Sequence, residues 1–112
     1  MAEKPVVWVG SSRDDLRAFP EDVRRIAGHQ LHLVQLGLDP ADWNPMPSIG
    51  PGVSELRIRT ALEHRVFYIA KFREGIYVLH AFQKRSRKTP QGEIELARHR
   101  LRELLRLRQT RE

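Results

Sequence analysis

The sequence predicts a single α+β domain over residues 1–112, a small and mostly antiparallel β-sheet flanked by helices in the order β-α-α-β-β-β-α. Three observations carry that expectation. Between residues 55 and 88 the runs ELRIR, HRVFYIAKF and IYVLHAFQKRSRK are rich in β-formers and set their basic residues at strand spacing. Val23, Ala27, Leu31, Val34 and Leu38 recur by steps of four, four, three and four, one apolar helical stripe. Ile94, Ala97, Leu101, Leu104 and Leu105 form the inward stripe of a last helix. A chain of 112 residues supports one modest core and not two.

Taken in order, residues 6–9 are a short β-rich run ending at Gly10, and Ser11 or Ser12 with Asp14 and Asp15 signals a helix start. Pro20, Glu21 and Asp22 open a second helix, with proline in the first turn and acids at the positive end of its dipole. Gly37 marks its stop. Residues 39–52, DPADWNPMPSIGPG, hold four prolines and two glycines, so they are expected to form a structured crossover with no regular element and no chemistry. Leu56 and Ile58 alternate with Arg57 and Arg59, giving a strand with one apolar and one basic face. After a turn at residues 61–64, strands over 65–72 and 76–84 are joined through Arg73, Glu74 and Gly75 as an antiparallel hairpin. Strict alternation sets Ile76, Val78, His80, Phe82 and Lys84 on one face of the last strand. Thr89 and Pro90 then read as N-cap and first turn of the final helix. Arg98, Arg100, Arg102, Arg106 and Arg108 are expected to ring that helix's outer side.

The net charge of +6 and pI near 10.5 favour an acidic partner. The positive field belongs to the second half, because residues 1–50 carry five Lys or Arg against seven Asp or Glu. From 51 to 92 nine basic residues face only three acids. The absence of cysteine removes disulfides, thiolate zinc sites and cysteine nucleophiles. No stretch approaches the roughly 20 apolar residues of a membrane span, and the four-residue apolar run near the start is too short for a secretory signal. The expected address is a reducing cytoplasm, with no membrane partner.

The candidate site is a surface for a polyanion. Arg57 and Arg65, on neighbouring strands, weigh towards function because like charges about 5 Å apart destabilise a sheet unless an anion is expected. Arg59 is evenly balanced between that role and a solvated face. Lys84, Arg85, Arg87 and Lys88 leave a strand and enter a helix N-terminus, where backbone amides also attract phosphate. Lys71 and Arg73 extend the basic surface as RNA contacts. His80, the only histidine in an apolar strand, is a candidate proton shuttle. His29, His32, His64 and His99 have no metal-ligand spacing, and no P-loop, GxSxG or HExxH motif is present, so neither metal nor cofactor is expected.

The segments DLRAFPEDVRR, LVQLGLDP, GVSELRI, HRVFYIAKF and YVLHAFQKRSRKTPQGEIELARHR resemble, in order and over nearly the whole chain, the HigB-like branch of the RelE/ParE toxin superfamily, including its phage-derived members. The resemblance implies a RelE-like fold and the toxin of a type II toxin-antitoxin pair. Such a toxin enters the A site of the 70S ribosome and cleaves mRNA there without a metal, the RNA's 2′-hydroxyl attacking the adjacent phosphate. It implies a cognate antitoxin, commonly with a helix-turn-helix domain. On this chain Arg57, with Arg59 as the alternative, falls in the strand supplying basic catalytic residues. Arg65 matches the arginine that stabilises the transition-state phosphate, and Lys84 or Arg85 the basic residue after the last strand. The tyrosine that better-understood relatives carry shortly after that cluster is missing, with Lys88, Thr89 and Pro90 in its place, and His80 or a lysine is the substitute. Two other readings stand beside this one: a non-enzymatic inhibitor of DNA gyrase, and a generic RNA-binding module.

Overall fold

The computed structural model describes residues 3–110. Strand β1 (Val6–Trp8) turns at Gly10, whose φ of +57° only glycine adopts cheaply, into the short helix α1 (Ser12–Arg17). Helix α2 (Glu21–Gln35) follows. It ends as its sequence predicts: Gly37 takes φ +82°, its amide bonds the Val34 carbonyl, and the Leu38 amide bonds the Leu33 carbonyl. Leu38 therefore lies past the helix and is 56% exposed, so it drops out of the apolar stripe, while Val23, Ala27, Leu31 and Val34 are buried.

The crossover contains one element that proline content argued against. Trp43–Pro45 forms β2, an edge strand paired antiparallel to β3 (Val53–Arg59). Proline is tolerated there because an edge strand need not donate on both sides. Strands β4 (Glu63–Ile69) and β5 (Ile76–Lys84) complete a five-stranded mixed sheet in the order β1-β5-β4-β3-β2, with β1 parallel to β5 and every other pair antiparallel. The α+β class with a mostly antiparallel sheet and flanking helices is thus what the chain adopts, with one more strand than expected. β4 starts two residues earlier than the sequence suggests and stops at Ile69, so the hairpin connection spans residues 70–75. Helix α3 (Gln91–Thr110) closes the chain.

The sheet separates two cores. On one face Leu16, Phe19 and the α2 stripe pack against Leu56, Ile58, Val66, Ile76 and Val78. On the other, Ala97, Leu101 and Leu104 of α3 pack against Val53, Phe67, Ile69, Tyr77, Leu79 and Phe82. Leu105, assigned by its spacing to the inward stripe, is 39% exposed instead. The alternation expected along β5 fails at a bulge: Tyr68 pairs with Val78 but Phe67 pairs with His80, which leaves Leu79 without a register partner. Ile76 and Val78 consequently face α1 and α2, while Phe82 faces α3 and the His80 ring stacks on it at 5.2 Å. The extra residue re-aims His80 to the α3 side.

Among the described residues no helix is long and apolar enough to cross a membrane. His64 belongs to the first core, 2% exposed, with its ring 4.5 Å from that of Phe19 and its Nδ1 without a hydrogen-bond partner. Burial pushes its pKa below the ordinary 6.5, only partly offset by the Asp22 charge. The folded state therefore binds fewer protons than the unfolded state just below that value, and stability present above pH about 6.5 falls as pH drops through the folded pKa. Urea unfolding at pH 7.5 and 5.5 checks this: wild type should lose stability between the two, and His64→Leu should lose measurably less.

Candidate phosphate-binding site

Two polar centres lie on the α3 side of the sheet. In the first, the register sets Arg57 directly opposite Arg65, Arg59 opposite Glu63, and Glu63 opposite Lys84. The anion that such a gathering of cations requires is supplied by the chain itself. Arg65 is 6% exposed, with one terminal nitrogen donating to Glu55 and the other to Glu63 Oε2 at 2.6 Å. Arg57 donates from Nε to Asp42 Oδ1 at 2.9 Å, and its Nη2 lies 2.8 Å from the same oxygen. Arg59 Nε stands 3.4 Å from both Asp42 Oδ2 and Glu63 Oε1. Lys84 Nζ is 3.5 Å from Glu63 Oε2. The hydrogen bond from Arg65 holds the Glu63 carboxyl below the ordinary carboxylate value against the opposing effect of burial, and Lys84 adds to the lowering. Arg65 Nε and Glu55 Oε2 are buried without a hydrogen-bond partner, so the hub is crowded with charge and incompletely satisfied.

The connection after β5 brings further cations to this end of the sheet. Lys84 Nζ donates to the Arg87 carbonyl at 2.7 Å and Ser86 Oγ to the Lys88 carbonyl at 2.7 Å. That folds residues 85–88 tightly and leaves Arg85, Arg87 and Lys88 exposed just ahead of α3. Lys71 and Arg73 do not join them. They sit in the 70–75 connection at the opposite end of β4, whose seven residues place them about 20 Å away at about 3.3 Å per residue. The Lys71 stem lies over Gly52, where an added Cβ would meet its Cδ at 2.7 Å, and its ammonium stands 5.3 Å from the Phe72 ring.

The second centre surrounds His80. Its Nε2 is 2.7 Å from Glu93 Oε2 on α3, and its Nδ1 is 3.6 Å from Asp15 Oδ2 on α1 and 3.4 Å from Arg100 Nη1. Arg100 also donates to the carbonyl of the bulge residue Leu79 at 2.8 Å and to Ser11 Oγ at 2.7 Å. Its guanidinium lies so close over Gly10 that a Cβ there would come 2.7 Å from Nε. Lys84 follows His80 by four positions of β5, about 13 Å of strand with Phe82 between them. The structure therefore brings Arg57, Arg59, Arg65, Lys84 and the 85–88 connection together, and sets His80 apart from them.

Asp42, Glu55 and Glu63 as counter-ions, and Asp15, Glu93, Ser11 and Arg100 around His80, were not anticipated from the residue pattern. One signal was available: Glu93, Ala97, Arg100 and Leu104 recur by four, three and four, so Arg100 shares the inward stripe and does not belong to an outer arginine ring. Arg108 is also drawn in, donating to both Glu74 oxygens at 2.6 and 3.1 Å and lying 3.8 Å over the Phe72 ring, and it holds the exposed Glu74 carboxyl down to about 2. The pairing of Glu95 with Arg98 and of Glu103 with Arg106 follows the expected i, i+3 pattern. Among the described residues no group of His, Asp and Glu is placed to hold a metal ion.

A five-stranded mixed sheet between α1 and α2 on one face and α3 on the other carries both polar centres, with cations gathered at one end. Residues 14–102 match the family model of the phage-derived Gp49-like proteins (DUF891), and the chain belongs to that family. None of the curated proteins compared with the chain matches it.

The ion cluster makes a stability test the necessary partner of any functional one. Removing one member of a buried charge group typically costs about 3–5 kcal/mol because the other charge stays buried and unpaired. Arg65→Ala, which strands Glu55, should lose that much in urea unfolding, whereas Arg106→Ala on the exposed helix surface should stay within about 0.5 kcal/mol of wild type. A loss below about 1 kcal/mol for Arg65→Ala would mean that the cluster does not hold the sheet.

Proposed function

We propose that this chain is the toxin of a type II toxin-antitoxin pair and acts as a ribosome-dependent endoribonuclease of the HigB-like kind. Its substrate is mRNA in the A site of the 70S ribosome. The observation that carries the reading is the register Arg59–Glu63–Lys84, which gathers cations from β3, β5 and the 85–88 connection at one end of the sheet. Family membership supports the toxin-like class.

In this reading the RNA's 2′-hydroxyl gives up its proton and attacks the adjacent phosphorus, and the 5′-oxygen leaves with a proton taken from water, giving a 2′,3′-cyclic phosphate and a 5′-hydroxyl. The negative charge that builds on the phosphate is met by Arg57, Arg59, Lys84 and Arg85, with Arg87 and Lys88 holding the flanking backbone. Arg65 works from beneath. Its two carboxylate partners leave it as the residue that positions Glu63, and Glu63 is the carboxylate set among the cations to accept the attacking hydroxyl's proton. His80, about 13 Å along the strand from Lys84, takes no part at that phosphate. A cognate antitoxin with a helix-turn-helix domain restrains the toxin, and the pair is expected in the cytoplasm.

Inducible expression tests the reading. Losing one preorganised charge stabiliser costs about 3 kcal/mol, roughly a hundredfold in rate. Arg57→Gln and Lys84→Gln should each relieve growth inhibition while remaining folded, and Arg106→Gln should inhibit as wild type does. Primer extension on cellular mRNA should show cuts within translated codons for wild type. DNA damage without cuts would replace this reading with gyrase poisoning, and neither effect would leave a binding module.

A further inference from the structure

Asp42, Glu55 and Glu63 neutralise the arginines at the basic end of the sheet, and they differ in depth. The Glu55 side chain is 3% exposed and Glu63 28%, whereas Asp42 is 37% exposed. Asp42 stands just before β2, the short edge strand, in the cross-strand row that holds Arg57 and Arg65. Its carbonyl accepts from the Arg57 amide at 2.9 Å, so the carboxylate can turn aside without the segment leaving the sheet. That carboxylate is seated as a phosphate would be. Arg57 Nε and Nη2 fork its Oδ1 at 2.9 and 2.8 Å, while Oδ2 stands 3.4 Å from Arg59 Nε. Two oxygens of one anion thus span two arginines on the same face of β3, both reachable from solvent. A phosphodiester offers the same pair of acceptors and the same single charge, and a guanidinium binds either anion through its planar fork.

We propose that Asp42 is an internal anion that closes the seat formed by Arg57 and Arg59, and that an RNA phosphate binds there by displacing it. The inference rests on the toxin reading for the identity of the displacing anion. Exchanging one anion for another costs little at a partly exposed pair, because solvent already screens it. Glu55 cannot be exchanged in this way, since its partner Arg65 is buried and would be left short of a counter-charge. The fraction of molecules with the Asp42 carboxylate turned aside sets the apparent affinity of the seat. The seat therefore discriminates against RNA met free in solution, and it fills when a phosphate is held beside it at high local concentration, as a ribosome holds its message.

The probe is a short fluorescein-labelled 2′-O-methyl oligoribonucleotide, which carries RNA phosphates but no hydroxyl able to attack them. In anisotropy titrations of the full chain at low salt, Asp42→Asn should bind it about fivefold or more tightly than wild type. Adding Arg57→Gln should abolish that gain, because the arginine that Asp42 covers is then gone. Glu103→Gln is the control: it makes the same change in net charge and releases Arg106 on α3, and it should shift the affinity by less than about twofold. With circular dichroism unchanged, an equal or weaker affinity in Asp42→Asn, or an equal gain in Glu103→Gln, would overturn the proposal. Should Asp42→Asn not fold, wild type answers by NMR. The Arg57 Nε–H signal and the Asp42 carboxyl carbon should move together as the oligonucleotide is added, and binding that leaves both unmoved overturns the proposal. No arm reads cleavage, so an Asp42 that does not gate the seat and a chain that does not cut on ribosomes are separate results.

Discussion

A guanidinium cannot be buried alone, and Arg65 is buried. Taking a charge out of water costs several kcal/mol unless partners and hydrogen bonds return it. The sheet returns it through Glu55 on β3 and Glu63 on β4, with Asp42 and Lys84 completing the neutralisation around them. That requirement fixes the register of β3 on β4. A slip of one residue would carry Glu55 to the opposite face of the sheet and set Arg65 opposite Leu56 or Ile58, with Glu63 of its own strand as its one remaining carboxylate. Buried ion groups are weak sources of net stability, and their best-attested use is this one, the choice of a single pairing over its neighbours.

The second constraint is the bulge at Leu79. It frees one carbonyl in a buried strand, and Arg100 reaches from α3 to satisfy it. The same bulge turns His80 towards Glu93 and Asp15, so that α1, β5 and α3 meet in one polar network. Ser12 strengthens the joint by donating to the Val78 carbonyl at 2.9 Å. These directional bonds add to the apolar packing that joins the three layers.

Much of the fold was legible because it rests on local rules. The α2 stripe and its glycine stop follow from spacing and from the left-handed turn that Gly37 adopts, and the three long strands follow from alternation and β-branched content. What stayed hidden depends on neighbours in space. β2 exists because Trp43 and Pro45 find Leu56 and Ser54, and nothing within DPADWNPMPSIGPG announces those partners. A bulge leaves no mark in an apolar run, so Leu79 and the re-aimed His80 could not be read from period two. The cations at Arg57, Arg59, Arg65 and Lys84 were visible in sequence, but Asp42, Glu55 and Glu63 come from three strands or their approaches, and only the register shows that they interleave. In the proposed function Arg65, bonded to Glu55 and Glu63, accordingly serves to position Glu63.

In the proposed function the charged hub and the exposed cations of the 85–88 connection together hold a phosphodiester, with the Glu63 carboxylate among them. The most direct measurement of the central claim is cleavage of a message on purified, programmed ribosomes, with the new 5′ ends mapped and tested for phosphorylation. Cuts within the A-site codon that leave 5′-hydroxyl ends, lost in Lys84→Gln, are the expected result. An intact message in the presence of demonstrably folded wild-type protein would contradict the account.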